Sequence, residues 1–273
     1  MPGRFFCPTT GFNKSYLAIA WNSRHSLTES ERRGFSQFFY LTISSHVESL
    51  LAKIIGARVR SIQSLTVFSP VPGGAATEET LASYREHESL VRESFSGVVS
   101  SLRVEVETAP LNKLIMLYKR MFQKSLRDVV GRELYDDLDA LASLRNTVAH
   151  GRDLYLEFED ERRNPEDFYG PITLDGNPLK KASERLLKSG VLSISVTDID
   201  PLKWYEFIAY FYCDAALLYF HDAVIQIEDS LRSSSDHSFE SIQAFVPPLP
   251  KLEDTSKGET HSTNDKSQVA KSL

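Results

Sequence analysis

Apolar residues recur at helical spacing over most of this chain, and they predict long helices joined by short polar links. Thr28 and Glu31 match a capping box, after which an apolar face continues to about Ile62 on the first long helix. The Pro- and Gly-rich loop 71–75 separates this helix from a second one over about 77–104. The apolar residues predicted to point inward on the second helix are Leu81, Tyr84, Leu90, Val91, Phe95, Val98 and Leu102.

Three more helices complete the predicted bundle. Pro110 opens a third helix that runs through Met121, and a fourth begins near Arg132 and carries leucines at helical spacing. The last helix, over about 201–231, is apolar nearly all round, so it needs covering on more than one face, within the bundle or by a second protomer. Its aromatic stripe fits core packing better than a stacking platform for nucleic-acid bases. The predicted fold class is therefore an all-α helical bundle.

An insertion interrupts the bundle between the fourth and the last helix. Residues 152–200 contain two segments with strand-like residue types, 154–158 and 191–196, and a short helix over 178–188 between them. We interpret the region as a small inserted β-hairpin. Because it begins directly after the fourth helix, it either narrows a cleft at the end of that helix or is a surface insertion without function.

The two ends of the chain differ in composition from the bundle. Residues 1–26 predict an irregular extension punctuated by Asn, Gly and Pro, with an extended piece at 16–21. Residues 233–273 are rich in Ser, Asp, Lys and Thr and predict a disordered tail. The helical domain is therefore expected to span 27–232, with the insertion inside it.

The charge of the chain restricts how it can contact nucleic acid. With 31 Lys and Arg against 37 Asp and Glu, the net charge is −6, which does not favour general electrostatic binding of polyanions. Most cations of the local basic stretch 113–132 are expected on the solvated face of a helix. One or two of them are expected to contact RNA phosphate, and Lys119 and Arg120 are the candidates. The cations of this stretch, which face only Asp128, are Lys113, Lys119, Arg120, Lys124, Arg127 and Arg132.

Cysteine, metal and membrane signals are weak. Cys7 and Cys213 lie far apart, and no cluster of His, Cys, Asp and Glu has metal-ligand spacing, so no metal or other cofactor is expected. The first residues lack an apolar stretch long enough for a secretion signal, and the expected compartment is a reducing cytoplasm. The apolar stretch 204–227 carries three acidic residues, which favours a core helix over a membrane span.

The fourth helix ends in the sequence Arg-Asn-Thr-Val-Ala-His-Gly, which is the strongest chemical signal in the chain. Gly151 follows where a helix ends in a left-handed cap, so Arg145, Asn146 and His150 are expected on its last turn. Asn146 and His150 are four residues apart and share a face. Arg145 lies roughly 140° from His150 around the helix and must use its length to reach the same site.

An arginine beside a histidine is the minimum needed to cleave a phosphodiester without metal. Arg145 can hold the phosphate bidentately and stabilise its developing charge, while His150 takes a proton from a ribose 2′-hydroxyl or gives one to the leaving oxygen. RNA is therefore the expected substrate. One histidine does not serve easily as both base and acid, so two copies are expected to face each other across a twofold axis. The alternative is that these cations only complement the helix dipole.

With Asn directly after the Arg and Gly directly after the His, the motif resembles the signature of HEPN domains, most closely the RNase-like groups allied to the RiboL-PSP HEPN proteins. The resemblance extends to 110–151 and to 47–51 on the first long helix, and in this helix order it covers roughly half of the chain. It implies an all-α fold, a dimer with a composite cleft, and metal-independent RNA cleavage in toxin, stress or anti-phage settings. Arg145 and His150 would be the catalytic pair.

Three further residues are candidates for supporting roles. Asn146 shares the face of His150. Glu48 on the first long helix either points toward the cleft and orients His150 or Arg145, or is a solvent-facing carboxylate. Arg152 follows the motif directly and is a candidate phosphate contact.

The sequence therefore predicts a HEPN-like, metal-independent endoribonuclease that acts on RNA as a homodimer in the cytoplasm. An antitoxin or regulatory protein is a further expected partner, and no membrane attachment is expected. The alternative is a non-catalytic HEPN module that dimerises, binds nucleotides or regulates a partner protein. A helical scaffold whose motif is only a capped helix end is a third hypothesis.

Overall fold

The computed structural model describes residues 9–65, 78–149, 156–159, 170, 172–174, 177–195, 198–234 and 246–252. Within these residues the protein is helical apart from one two-stranded antiparallel hairpin, which confirms the predicted all-α class with a small inserted β-hairpin. The motif residues His150 and Gly151, and Arg152 after them, lie outside the described residues.

The described helices follow the order that the periodicity predicts, with an additional helix near the N-terminus, a short additional one before the motif helix, and two helices in place of the predicted last one. They are α1 (Thr9–Ser23), α2 (Glu29–Leu65), α3 (Glu78–Thr108), α4 (Leu111–Phe122), α5 (Leu126–Val130), α6 (Arg132–Ala149), α7 (Leu179–Lys188), α8 (Trp204–Tyr210) and α9 (Asp214–Ser233). Strands β1 (Glu157–Phe158) and β2 (Ile172–Thr173) lie between α6 and α7. Short 3₁₀ turns at Arg24–Ser26 and Pro201–Lys203 lead toward α2 and α8.

Helix α2 is the centre of the fold. Its 37 residues extend about 55 Å, and it packs against α1, α3, α4, α6 and α9. Phe39, Ile43, Leu50 and Ile54 are almost fully buried, at separations of four or seven residues. Neighbours on several sides cover this helix, which explains why its apolar residues are not confined to one narrow stripe.

Residues 9–23 form a helix, in place of the irregular or extended structure expected for them. Leu17 and Trp21 are four residues apart on α1 and are fully buried, and the Trp21 ring packs against aromatic rings of α2. The Cζ atom of the buried Arg24 lies 3.7 Å from the centroid of the Trp21 ring, and Arg24 Nε donates to Asp214 at 2.9 Å. These tertiary contacts stabilise a helix that the local sequence signals only weakly.

The inserted hairpin has a different second strand from the predicted one. Strand β1 lies within the predicted strand 154–158, but it pairs with β2. The segment 191–196 is not a strand in the part of it that is described. Gly190, with a φ of 77°, turns the chain back after α7, and the Leu192 N–H donates to the Leu186 carbonyl at 2.9 Å. The apolar residues after Gly190 therefore extend the cap of α7 and do not pair with β1.

The last predicted helix is divided at 211–213 into α8 and α9. Tyr40 and Ser36 on α2 donate side-chain hydrogen bonds to the carbonyl oxygens of Phe211 and Tyr212, at 2.6 and 3.3 Å. These donors satisfy backbone groups that the break leaves without helical partners. The break therefore lies where α2 can supply polar side chains.

The apolar segment Trp204–Ser233 qualifies as a candidate membrane span by length and composition. Its α9 part packs against α2, α5 and α6, and it carries the buried polar residues His221 and Glu228. In the described fold this segment therefore occupies the position of a core helix, the role expected from its acidic residues.

A C-terminal segment, 246–252, packs on α9, so this part of the tail is not the disordered chain that its composition predicts. Leu249 is buried in the core. The carboxylate of Glu228 accepts hydrogen bonds from His46 Nε2 at 2.8 Å, from the Leu249 N–H at 3.1 Å and from Arg232. Arg232 also donates to a backbone carbonyl of the segment at 2.7 Å. A carboxylate with several donors thus holds the segment in place.

Helix α3 buries less apolar surface than the sequence predicts. Phe95 and Leu102 pack partly buried against the core, whereas Leu90, Val91 and Val98 are 58%, 38% and 65% exposed. The prediction that these last three residues point inward is wrong, because among the described elements α3 packs mainly on α2, and these three side chains stay exposed. The side chains of Leu81 and Tyr84, also predicted to point inward, lie outside the described residues.

Two buried ionisable groups on α9 make the stability of the fold depend on pH. Burial favours the neutral form of Glu228, but hydrogen bonds from His46, Arg232 and the C-terminal segment outweigh it and bring the pKa to about 2. Burial lowers the pKa of His221, against the opposing influence of the Asp222 carboxylate. Both pKa values are lower in the folded than in the unfolded chain, so acid destabilises the fold.

We expect the free energy of unfolding to fall in two stages as the pH is lowered. The His221 contribution is fully present above its unfolded pKa of 6.5 and declines below it, whereas the Glu228 contribution is present above 4.5 and declines toward about 2. Urea unfolding from neutral to acid pH measures both. His221→Phe should flatten the first stage. Glu228→Gln should flatten the second and cost about 3–5 kcal/mol at neutral pH, because a buried ion pair loses one partner. Unaltered pH profiles in both variants would contradict this account.

Candidate functional site

The motif helix α6 is held from four sides, by α2, α5, α7 and α9. Its apolar stripe is buried, as its spacing predicts, and consists of Leu138, Leu141, Leu144 and Val148. Asn146 lies on the exposed face, and Arg145 lies at the boundary between the buried and exposed faces. The position of Arg145 is thus fixed by a well-packed helix.

The guanidinium of Arg145 lies between α6 and α2 and contacts two side chains. Nη2 donates to Glu48 Oε2 at 3.3 Å, and Nη1 donates to Asn146 Oδ1 at 3.2 Å. Nε is buried and has no hydrogen-bond partner within the described part of the chain. The Arg145 and Glu48 side chains are 27% and 18% exposed, so the pair lies at the edge of the packed helices.

The hydrogen bonds of Arg145 are long for a charged group. Charge-assisted N–H···O bonds are normally about 2.7–2.9 Å, as in the pair of Arg24 with Asp214 at 2.9 Å. At 3.3 Å, the contact of Arg145 with Glu48 is weaker than a pair of that length. The guanidinium is therefore positioned near a carboxylate without being tightly bound to it.

Glu48 has a second contact, which the sequence does not reveal. Its Oε1 accepts the Leu111 N–H at 3.3 Å, at the first residue of α4. Pro110, the N-cap residue of α4, supplies no side-chain cap, so the Glu48 carboxylate takes the place of a capping group and also faces the positive end of the helix dipole. Glu48 is thus not a solvent-facing carboxylate, and it joins α2, α4 and α6 at one point.

The structure brings together only part of the predicted site. Arg145, Asn146 and Glu48 form one cluster. The predicted catalytic partner His150 and the predicted phosphate contact Arg152 lie outside the described residues. The roles assigned to these two residues therefore remain predictions.

Lys119 and Arg120 lie elsewhere, on the exposed last turn of α4. With Met116 and Gln123 they line a surface pocket of about 450 Å³. The start of α4 contacts Glu48, and Lys119 is eight residues further on, or about 12 Å along the helix.

Several other cations of the basic stretch are paired with carboxylates, which reduces its positive potential. Lys119 and Arg120 have no carboxylate within 4.0 Å in the described part of the chain. The pairs are Lys113 with Glu105 at 3.1 Å, Arg127 with Asp136 at 3.7 Å and Arg132 with Asp136 at 3.9 Å. Lys119 and Arg120 thus stay predicted phosphate contacts, and cations near a helix C-terminus are also stabilised by the helix dipole.

Helix α7 of the insertion is joined to the first half of α6 by hydrogen bonds and ion pairs. Asp137 on α6 is buried and accepts hydrogen bonds from Arg185 Nε at 2.5 Å and from the Tyr219 hydroxyl at 2.6 Å. Two exposed ion pairs run alongside, Lys181 with Asp139 at 2.6 Å and Lys188 with Glu133 at 2.5 Å. Sequence analysis missed this cluster, because the partners are far apart along the chain and no motif links them.

The contacts around Asp137 shift the pKa values of Tyr219 and Arg185, and the shifts keep both groups as hydrogen-bond donors. Burial and the hydrogen bond to Asp137 raise the pKa of Tyr219 to about 12, so its hydroxyl stays a donor at physiological pH. The hydrogen bond to Asp137 also raises the pKa of Arg185. The contacts of α7 with α6 lie before the turn that carries Arg145. Helix α7 therefore supports the motif helix and leaves Arg145 partly exposed.

Within the described residues, no group of three or more His, Cys, Asp or Glu side chains could hold a metal ion. No protein-family model matches the chain, and no curated protein or solved structure is similar to it at a significant level.

A double-mutant cycle of Glu48→Ala and Arg145→Ala should separate the two contacts of Glu48. We expect Glu48→Ala to lower the free energy of unfolding by about 1–2 kcal/mol, because the Leu111 N–H loses its acceptor. The coupling energy with Arg145 should be below about 1 kcal/mol, because the ion pair is long and partly exposed. Urea unfolding of the four proteins gives both values.

Glu48→Gln is the matched control, because it keeps an oxygen acceptor for Leu111 and removes the charge that faces Arg145. It should be more stable than Glu48→Ala. A coupling energy above about 2 kcal/mol would instead identify Arg145 as a structural group fixed in this pair.

Proposed function

We propose that this protein is a metal-independent endoribonuclease whose catalytic groups are Arg145 and His150. The observation that supports the proposal is the incomplete hydrogen bonding of Arg145. Its guanidinium lies partly exposed near the end of the motif helix and makes only long hydrogen bonds. Its Nε is buried and has no partner in the described chain. Buried donors in folded proteins are usually satisfied. Phosphate oxygens would supply the short, bidentate hydrogen bonds that Arg145 lacks.

The reaction begins with a ribose 2′-hydroxyl as the nucleophile. His150 of one protomer takes the proton of the 2′-hydroxyl, and the 2′-oxygen attacks the adjacent phosphorus. The bond from phosphorus to the 5′-oxygen breaks, and His150 of the partner subunit gives that oxygen a proton. The products are a 2′,3′-cyclic phosphate and a free 5′-hydroxyl. Arg145 holds two phosphate oxygens and stabilises the charge that develops on them.

Glu48 and Asn146 position Arg145 in this proposal. Both contact the guanidinium, one through each terminal nitrogen. Because the Leu111 N–H also holds the Glu48 carboxylate, the acid has a fixed place from which to orient the arginine. They are positioning residues, and neither is assigned a proton-transfer step.

The proposed composite site requires two copies to meet near the end of α6. Asn146 and Ala149 are exposed there, while the ion pairs to α7 occupy the first half of the helix. A twofold axis at this end would bring two motifs together. Lys119, Arg120 and Arg152 would contact the RNA backbone on either side of the cleaved bond, which suits a protein of net charge −6 whose positive potential is local. We place the enzyme in the cytoplasm as a toxin, stress or anti-phage effector, with an antitoxin or regulatory protein as its partner.

A non-catalytic HEPN module is the second candidate function, and the second contact of Glu48 favours it. Glu48 caps α4 through the Leu111 N–H, so the pair with Arg145 would also be retained if it only joined three helices. In that case the motif end of α6 would bind a nucleotide or a regulated partner protein without cleaving RNA. Activity of the purified protein distinguishes the two.

Purified protein should cleave single-stranded RNA in the presence of a chelator and leave 2′,3′-cyclic phosphate ends, because the ribose itself is the nucleophile. Single-stranded DNA of the same sequence is the control and should remain uncut, since it lacks the 2′-hydroxyl. Gel analysis with end-group mapping measures both. Strict dependence on added divalent ions, or equal cleavage of DNA, would exclude this mechanism.

Arg145→Lys and His150→Gln should each lower the cleavage rate by at least about 100-fold, since lysine lacks the planar fork and glutamine does not carry a proton at neutral pH. Their thermal midpoints should change little. The matched control is Arg132→Lys, an exposed cation at the opposite end of α6, which should cleave normally. Normal cleavage by both motif variants would identify the motif as a structural feature.

Activity per protomer should fall on dilution, in step with dissociation of the dimer, because each cleavage uses a histidine from both copies. Sedimentation and cleavage assays over the same concentration range measure the two curves. A stable monomer with undiminished activity would contradict the composite site.

A further inference from the structure

Helix α3 presents a long surface that the described fold leaves uncovered. Its 31 residues extend about 46 Å, and it packs mainly on α2. Among the side chains of α3 that the structure describes, the buried ones are Val99 and Val106, both in its last third. Among the described side chains from 82 to 98, none is buried, and Glu88 and Phe95 are intermediate. Most of α3 therefore faces solvent.

One exposed stripe of α3 is free of Asp, Glu, Lys and Arg over four turns of the helix. We define the α3 stripe as His87, Val91, Ser94, Val98 and Ser101, all of which are exposed. Their separations of four, three, four and three residues are those of a seam between two paired helices. Val98 at its centre is 65% exposed and Val91 is 38% exposed. Glu105, which is partly exposed, continues the same spacing at the end of the stripe.

The stripe also allows another helix to approach closely. Ser94 and Ser101 are small, and a Cβ added to the adjacent Gly97 would meet no atom within 4 Å. The surface around Val98 is thus open as well as uncharged. Charged side chains of α3 lie on other faces, where Arg92 pairs with Glu88 and Arg103 with Glu107.

We propose that the α3 stripe binds the α3 stripe of a second copy of this chain, with the two helices antiparallel. With the twofold axis at residue 96, the sequence order of the stripe becomes self-complementary: each valine lies opposite a serine of the partner helix. Val91 then faces Ser101, and Val98 faces Ser94. Large residues meet small ones, which two helices need in order to pack closely.

Charge favours this orientation over the parallel one. In the antiparallel pair, His87 lies opposite Glu105 at both ends of the seam. A parallel pair would place Glu105 against Glu105 and His87 against His87, which repel each other when charged. Glu105 pairs with Lys113 at 3.1 Å and keeps 34% of its side chain exposed, so it can contact His87 as well. The α3 stripe is thus complementary in charge to the stripe of a second copy, which favours a second copy as its binding partner.

The α3 dimer is independent of the proposed ribonuclease, because the two use different surfaces. The stripe lies on α3, whereas the composite cleft needs the end of α6. The two assemblies can be told apart, since a substitution in the stripe should abolish the α3 contact and should leave a dimer built through α6 intact.

Sedimentation equilibrium of the full chain and of Val98→Glu tests the proposal. A charge at the centre of the seam, present twice in the dimer, should raise the dissociation constant at least about 30-fold. Val104→Glu is the matched control. Val104 is 60% exposed on the same helix but lies about 120° around the helix from Val98 and outside the α3 stripe, so its substitution should leave the dissociation constant unchanged. Circular dichroism of both variants should match that of the wild type.

A charge reversal tests the orientation. His87→Glu should weaken the dimer about threefold to tenfold by placing two acids opposite each other, and addition of Glu105→Lys should restore it. A wild-type protein that is monomeric at every accessible concentration would overturn the proposal. So would wild-type self-association that is the same in Val98→Glu, or that Val104→Glu weakens to the same extent. Failure of the rescue would overturn the antiparallel arrangement.

Discussion

The long helix α2 is stable in this fold only because other elements cover it on several sides, and most of the structure follows from that constraint. Helices α1, α4, α6 and α9 cover the apolar side chains of α2, and every buried polar group on it needs a partner. His46 and Glu48 show how this works. They are two residues apart and therefore point to nearly opposite sides of the helix. His46 pairs with the buried Glu228 on α9, whereas Glu48 contacts Arg145 and the first residue of α4.

These two carboxylate networks differ in burial and in the length of their hydrogen bonds. Glu228 is 3% exposed and accepts from His46 at 2.8 Å, from the Leu249 amide and from Arg232. Glu48 is 18% exposed, and its contacts are both 3.3 Å long. The tight network stabilises the C-terminal segment against the core. The loose one lies near the protein surface, where the proposed ribonuclease would need the arginine to exchange its carboxylate for a phosphate. The same helix thus supports one network for stability and another suited to binding.

Periodicity predicted most helices of this protein, since an apolar stripe can be recognised within a single segment. The errors occur where a segment depends on a distant partner. Helix α1 needs the rings of α2, β1 pairs with β2 instead of the predicted strand, and the segment 246–252 is held by Glu228. In α3 the apolar residues were recognised correctly, but a sequence pattern shows which face is apolar and not whether the same chain covers it. At the candidate site, the contact of Glu48 with Arg145 was among the alternatives, whereas its bond to Leu111 left no sequence signal.

Two features of the described chain are unfavourable for the stability of a lone protomer. The buried Nε of Arg145 lacks a partner, and Val98 exposes 65% of its surface on an uncharged stripe. A sequence selected for stability alone would remove both, with lysine or glutamate at position 98 and a shorter residue at 145. In the two proposals, a phosphate binds the partly exposed terminal nitrogens of the same guanidinium, and a second copy of the chain covers the valine.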